Sequence, residues 1–306
     1  MFRSVSSVLS LVVVAGLLWP VAGFSQAQAT ASSAPAAVNS TPGNDPCAEW
    51  VPRLPNVNAA LCAGAGLLPS QGRSVKGRVL YQRDVIAAEP RWRVLVVGAI
   101  HGDEMSSASL ALHWIHEALE QSSNTHWRFI PVLNPDGLLM RPSQRMNANG
   151  VDLNRNFPTP NWSQESKIYW EQRTRKDPRR WPGPSPLSEF ESIHLYDEMQ
   201  RFQPHLIVSI HAPYGVLDFD GPSVPPARLG RLFLDQVGVF PGSLGHYGSV
   251  HKGMPVVTIE LPNAARTPRN AEMHQMWLDL LRWMNQHLVP DPPQPTPVPV
   301  GMEKTD

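Results

Sequence analysis

The chain has little of several things, and each shortage excludes a class of protein. Only two of its 306 residues are cysteine, too few for a disulfide-stapled mini-protein or a multi-cysteine zinc scaffold. Neither charge sign is in excess, with 26 basic and 26 acidic residues, so no strong field exists to draw in DNA, RNA or an anionic membrane surface. No apolar run is long enough to cross a bilayer: the longest, at residues 8–18, falls short of the roughly 20 residues a spanning helix needs. No internal repeat is evident. With 42% hydrophobic content the chain still holds enough apolar material for one large core.

Proline is plentiful, at 32 residues, and it marks the ends of the folded part. The first segment carries one charge, Arg3, then the apolar run, then small residues around Ala27 and Ala29. That is the layout of a cleaved secretory leader, so residues 1–29 are expected to be a signal peptide and the product periplasmic or secreted. Residues 30–46 are rich in Ala, Ser, Thr, Pro and Asn and read as a disordered tether, too short for a propeptide domain. Residues 289–306 read as a Pro-rich disordered tail, because alternating prolines favour extended geometry and forbid helix. The compact folded domain is therefore expected at 47–288. In an exported chain Cys47 and Cys62 are expected to be bridged. The number of subunits has no signature here.

Residues 93–100, 127–133, 205–210 and 255–261 are short, β-branched and almost continuously apolar, as strands covered on both faces are. Helical spacing joins Ala108, Leu112, Ile115 and Leu119 between them. Ser185 and Pro186 resemble a cap and first turn ahead of Phe190, and Met273, Met276, Trp277, Leu280 and Met284 form one stripe. The expected fold is α/β: a single-domain α/β/α sandwich around a central mixed, mostly parallel sheet. Ligands in such folds sit at the carboxyl ends of the strands.

Chemistry-bearing residues cluster at those ends. His101 and Glu104 follow the first strand, and His211 ends the third in the same topological position. Two imidazoles and a carboxylate suit zinc and leave a position for water, the hydrolytic arrangement. Glu260 closes the fourth strand, where a carboxylate is paired, capped or catalytic, and it is the expected general base. One long loop carries Arg145, Asn154 and Arg155, and its two arginines are cations suited to an oxyanion and to a substrate carboxylate. Asp152 lies among them without a role of its own and suits the orienting of a histidine or an arginine. The loop at 161–183, with Trp162, Tyr169, Trp170 and Trp181, reads as local packing or as a cleft wall, while His113 and His116 read as solvated helix residues.

The pieces H-x-x-E at 101–104, NPDG at 134–137, GVDLNRNFP at 150–158, SIHAP at 209–213 and TIELP at 258–262 occur in that order. Together they resemble the zinc carboxypeptidase family, and the segment at 241–262 looks most like its bacterial murein peptide amidase branch. The resemblance implies one zinc on His101, Glu104 and His211, with Arg145 polarising the scissile carbonyl. It further implies that Asn154 and Arg155 grip the terminal carboxylate, that Glu260 acts as base and acid, and that Tyr247 meets the substrate. It implies a zinc-dependent metallocarboxypeptidase acting on a peptide or muropeptide. The intervals from Glu104 to His211 and from His211 to Glu260 look shorter than in digestive carboxypeptidases, so the specificity pocket cannot be copied across. Two rivals stay open: an N-acyl amino acid deacylase of the aspartoacylase or succinylglutamate desuccinylase type, and a non-catalytic peptide-binding module.

Overall fold

A computed structural model describes residues 45–121 and 124–289; the expected leader, most of the tether and most of the tail lie outside the described residues. Seven strands form one sheet: β1 (Leu68–Arg73), β2 (Val79–Ile86), β3 (Trp92–Val97), β4 (Thr125–Ile130), β5 (Leu206–His211), β6 (Val216–Asp220) and β9 (Val256–Glu260). Their spatial order is β1-β2-β4-β3-β5-β9-β6. The four inner strands β4, β3, β5 and β9 run parallel, and antiparallel strands flank them on both sides. A separate two-stranded piece pairs β7 (Arg228–Leu229) with β8 (Leu232–Phe233).

The inner strands coincide with the four apolar runs of the sequence because both of their faces are covered. Val94, Val96, Trp127, Phe129, Val257 and Ile259 pack on one side against α3 (Met105–Glu120) and α7 (Asn270–His287). The alternate residues Leu95, Val97, Ile130, Ile207 and Val256 pack on the other, where α6 (Phe190–Phe202) lies. A period of two on the strands thus feeds two separate cores. The stripe on α7 buries Met276, Trp277 and Leu280 completely. Four shorter helices complete the fold, namely α1 (Pro46–Trp50), α2 (Ala59–Gly64), α4 (Pro135–Leu139) and α5 (Trp162–Ile168). All described residues fall within one compact unit.

Two local expectations need comment. Helix α6 starts at Phe190 rather than near Ser185. Leu187 adopts a left-handed backbone at φ 53°, which no right-handed helix accommodates, and its N–H is spent on Asn156 O. His113 and His116 are partly exposed, and each also bonds a carbonyl, of Asn56 and Leu61 respectively, bracing the N-terminal segment against α3.

That segment is also closed by the disulfide between Cys47 and Cys62, which ties α1 to α2 across 15 residues. A loop of that length is stabilised by roughly 3 kcal/mol through the entropy lost from the unfolded chain. The double serine variant C47S/C62S should therefore melt about 6–12 °C lower than the parent, measured by calorimetry under non-reducing conditions. Reductant should lower the parent's melting temperature and leave the variant's unchanged.

Candidate metal centre and substrate cavity

The carboxyl ends of β3, β5 and β9 meet at one cavity of about 260 Å³. The chain reaches it from β3 through Ala99, held left-handed at φ 42°. Its N–H donates to Ser107 Oγ and its carbonyl accepts from Asn134 N–H. Gly102 follows His101 because nothing larger fits: a Cβ there would lie 2.2 Å from the backbone nitrogen of Leu138. The glycine thus lets the 134–138 turn press against the site.

Glu104 occupies the N-cap position of α3 yet makes no capping bond. Its carboxylate turns inward instead, with Oε1 at 2.7 Å from His101 Nδ1 and Oε2 at 3.0 Å from His211 Nδ1. The two Nδ1 atoms are 3.2 Å apart. Each ring is oriented from behind. His101 Nε2 lies 3.1 Å from Asp152 Oδ1, and His211 Nε2 lies 2.9 Å from Ser209 Oγ. A carboxylate behind a ring fixes the tautomer and turns the other nitrogen's lone pair forward. Among the described residues, His101, Glu104 and His211 form a buried group whose ligand atoms lie within 4.8 Å of one another. Two imidazole nitrogens and a carboxylate, converging and out of water, fit a divalent cation of borderline softness such as zinc.

Asp152, left without a fixed role by the sequence, organises this centre. Besides His101 it holds Arg145, whose Nε and Nη2 both donate to Oδ2 at 3.0 and 2.9 Å. Burial alone would raise the Asp152 carboxyl, but Arg145 and His101 outweigh it and hold the group well below the usual carboxylate range. Glu104 is likewise held low by the two histidines against its own burial. Arg145 Nη1 lies at the donor set, 3.0 Å from His101 Nδ1 and 3.4 Å from Glu104 Oε1.

Glu260 stands opposite His211 in the β5–β9 register. Burial pushes its carboxyl up, with His211 opposing. The backbone of Tyr214 bonds it, whereas Oε2 is buried with no hydrogen-bond partner. Arg155 is similar in kind: it is buried, its Nε has no partner, and its Nη1 donates to the Asn154 carbonyl. Its guanidinium stacks 4.6 Å over Phe240, and burial lowers its pKa. Leu244 N–H donates to Asn154 Oδ1 at 2.8 Å, which leaves the Asn154 amide N–H₂ as a donor. Asn154, Arg155, Arg145 and Glu260 all line the cavity.

Tyr247 does not line it. The π-helical turn His246–His251 directs that ring into the core, where it is fully buried against Phe157 and Tyr196 and its hydroxyl accepts from Gln200. The substrate contact expected of Tyr247 is therefore corrected to a packing role. The aromatic rings at the cavity belong to Tyr214 and Phe240. The loop at 161–183 both packs and walls the cleft. Trp162 donates to the Arg155 carbonyl and Tyr169 meets Phe240 edge-on, while Arg179 and Arg180 face the cavity. The sequence reading also passed over Asp218 and Asp220 on β6, which line its far end. Their alternation in VLDFD was the available signal.

The zinc carboxypeptidase family model matches residues 68–218. Murein peptide amidase A of Escherichia coli K12 is 32% identical over 219 residues, covering 69% of this chain and 88% of that protein. The chain belongs to the zinc carboxypeptidase family. Murein peptide amidase A of Vibrio campbellii is also 32% identical, over 200 residues, covering 63% of this chain and 78% of that one. The solved murein-tripeptide amidase of Escherichia coli O157 aligns with a TM-score of 0.51 at 28% identity, covering 72% of this chain and 95% of that one. Carboxypeptidase A of Helicoverpa armigera, at 18% identity and a TM-score of 0.56 over 72% of this chain and 68% of that one, shares the fold. As a zinc carboxypeptidase family member the chain is a zinc peptide hydrolase with a carboxypeptidase-like fold. Among the described residues no helix is long and apolar enough to cross a membrane.

Proposed function

We propose that this hydrolase is exported and cuts the amide bond that joins a residue with a free carboxylate to the rest of a peptide, with peptidoglycan stem peptides as substrates. The observation that carries it is one cavity holding three different unmet needs: a convergent His101–Glu104–His211 donor set, a buried Glu260 Oε2 without a partner, and a buried Arg155 whose Nε is unpaired. Amide hydrolysis beside a carboxylate uses all three. The peptidoglycan substrate is supported by the relatives named murein peptide amidase A. Export is supported by the leader-like first residues and by the Cys47–Cys62 disulfide.

Zinc, when bound by His101, Glu104 and His211, supplies a Lewis acid that makes water acidic near neutral pH and draws charge onto a carbonyl oxygen. The chain's own groups do the rest. Arg155 and the Asn154 amide bind the terminal carboxylate and so fix which bond reaches Glu260. Glu260 Oε2 takes the proton from the attacking water as its oxygen bonds to the carbonyl carbon. The same atom gives that proton to the amide nitrogen as the carbon–nitrogen bond breaks, releasing an acid and an amine. Arg145, anchored by Asp152 through two of its nitrogens, turns Nη1 toward the negative oxygen.

Masking the substrate's terminal carboxylate tests this account. Zinc-loaded protein incubated with stem peptides should release the C-terminal residue, seen by mass spectrometry as a gain of one water across the products. The C-terminal amide of the same peptide should be cut about 100-fold more slowly, because Arg155 is left buried without an anion. Equal rates on acid and amide, or cuts at internal bonds, would contradict it. Faster release from acylated single amino acids than from peptides would favour the deacylase reading instead.

A further inference from the structure

Residues 45–67 precede the stretch that the family model matches, yet they reach the supports of the donor set. The loop between α1 and α2 carries Arg53 and is held at several points. The Cys47–Cys62 disulfide closes it, and Trp50, Leu54 and Val57 bury their side chains in the core. His113 and His116 on α3 bond the carbonyls of Asn56 and Leu61. The N–H groups of Arg53 and Leu54 both donate to the Trp50 carbonyl, which fixes the Arg53 backbone one turn beyond α1. A side chain on so firm a base can position what it touches.

Arg53 directs its guanidinium at a neighbouring stretch of backbone. Nη2 donates to Leu138 O at 3.2 Å, to Met140 O at 2.7 Å and to Ser143 Oγ at 2.6 Å. These acceptors belong to one turn, which leaves α4 at Leu138 and delivers the chain to Arg145. The outer side of the turn is exposed at Arg141 and Pro142, so packing does not pin it there. Its own closures are Ser143 Oγ to Leu138 O and Gln144 N–H to Gly137 O. The inner side rests on the site. A Cβ on Gly102 would lie 2.2 Å from Leu138 N and 2.7 Å from Gln144 O, and the Arg145 carbonyl accepts from Gly102 N–H and Asn134 Nδ2. A shift of the turn is therefore passed to Arg145.

We propose that Arg53 is a positioning residue for the hydrolysis: by clamping the turn at 138–144 it sets where the Arg145 backbone sits, and so where the Arg145 guanidinium meets the developing oxyanion. This rests on the hydrolase reading above and extends it to a segment outside the family match. Asp152 fixes the tip of Arg145 through two bonds, whereas the turn fixes its root. Both ends must agree for Nη1 to reach the negative oxygen. The terminal carboxylate binds to Arg155 and Asn154, which do not depend on this turn, so the step that Arg53 serves is the chemical one.

The test compares R53M, R53K and S143A with the parent, all zinc-loaded, at a temperature where melts show each to be folded. In R53M kcat should fall about 10-fold, less than the roughly 100-fold that a full ångström of misplacement costs. KM should stay within about twofold and the zinc content should not change. R53K should return kcat to within about threefold of the parent, since the acceptors surround a single nitrogen and an ammonium offers several N–H groups. S143A removes one acceptor. It should lower kcat about threefold in the parent and no further in R53M, because both changes break the same chain of contacts. A brace that only held the fold would lower the melting temperature and leave kcat of the folded protein as it was. An unchanged kcat in R53M, an equal fall in R53K, or additive losses with S143A overturns the proposal and leaves the hydrolase reading standing. If the parent turns over no stem peptide, the hydrolase reading fails instead, and the clamp is read from hydrogen exchange at the Gln144 N–H. Exchange about 10-fold faster in R53M then supports the clamp, and equal exchange overturns it.

Discussion

Replacing Glu260 by glutamine should lower kcat by about 10³–10⁴-fold, the upper range for a group that serves as both base and acid. The expectation follows from one atom. Oε2 is buried and has no protein partner, so the side chain is held for a ligand rather than for the fold. Glutamine matches the shape and keeps an acceptor for the Tyr214 backbone, but its amide takes up no proton from water. Stability should change by no more than about 1 kcal/mol, because no protein hydrogen bond to Oε2 is lost. The zinc content should match the parent's, since Glu260 lies outside the donor set. Single-turnover rates together with thermal melts check both halves. Full turnover by E260Q would move the proton transfer to another residue.

The second large effect belongs to Asp152. This fully buried carboxylate accepts from Arg145 twice and bonds His101 Nε2. Asparagine keeps the size and removes the charge. The largely buried Arg145 guanidinium then keeps only Glu104 Oε1, 3.4 Å away, as a counter-ion, which costs about 3 kcal/mol, the low end for breaking a buried pair. For a domain of this size that corresponds to a fall in melting temperature of about 10 °C. His101 also loses the acceptor that sets its tautomer, so zinc affinity should drop by about 10–100-fold. The two losses are separable. S209A removes the partner of His211 Nε2 without stranding a charge, so it should weaken zinc binding while sparing the melting temperature. An unaltered zinc affinity in D152N would show that Asp152 merely braces Arg145.

The four inner strands and their carboxyl ends were legible because burial on both faces writes itself as continuous apolar sequence, and a parallel sheet gathers those ends together. Each of His101, Glu104, His211 and Glu260 sits within a few residues of such an end, so topology alone predicted that they would meet, as they do. The loop residues Arg145, Asn154 and Arg155 were placed by a family motif instead, since nothing in an irregular segment shows which side chain turns inward. Tyr247 shows the cost of that gap. Its segment has neither a period of two nor one of 3.6, and the π-helical turn that buries the ring leaves no signature in composition. Asp218 and Asp220 escaped notice for a different reason. They lie on a short outer strand of mixed polarity, and only the pairing with β9 shows that they share a face with Glu260. The start of α6 was misplaced because the left-handed turn at Leu187 is made by a residue type that rarely adopts it.

The account depends on His101, Glu104 and His211 holding a single ion, and zinc stoichiometry in the parent and in H211A tests that most directly. After dialysis against metal-free buffer, elemental analysis should find one zinc per chain in the parent. Its X-ray absorption spectrum at the zinc edge should fit two imidazole nitrogens with carboxylate oxygen. H211A should retain far less than one zinc and lose hydrolysis in proportion. A parent without bound zinc that is nonetheless fully active, or an H211A variant that keeps a full equivalent, would contradict it.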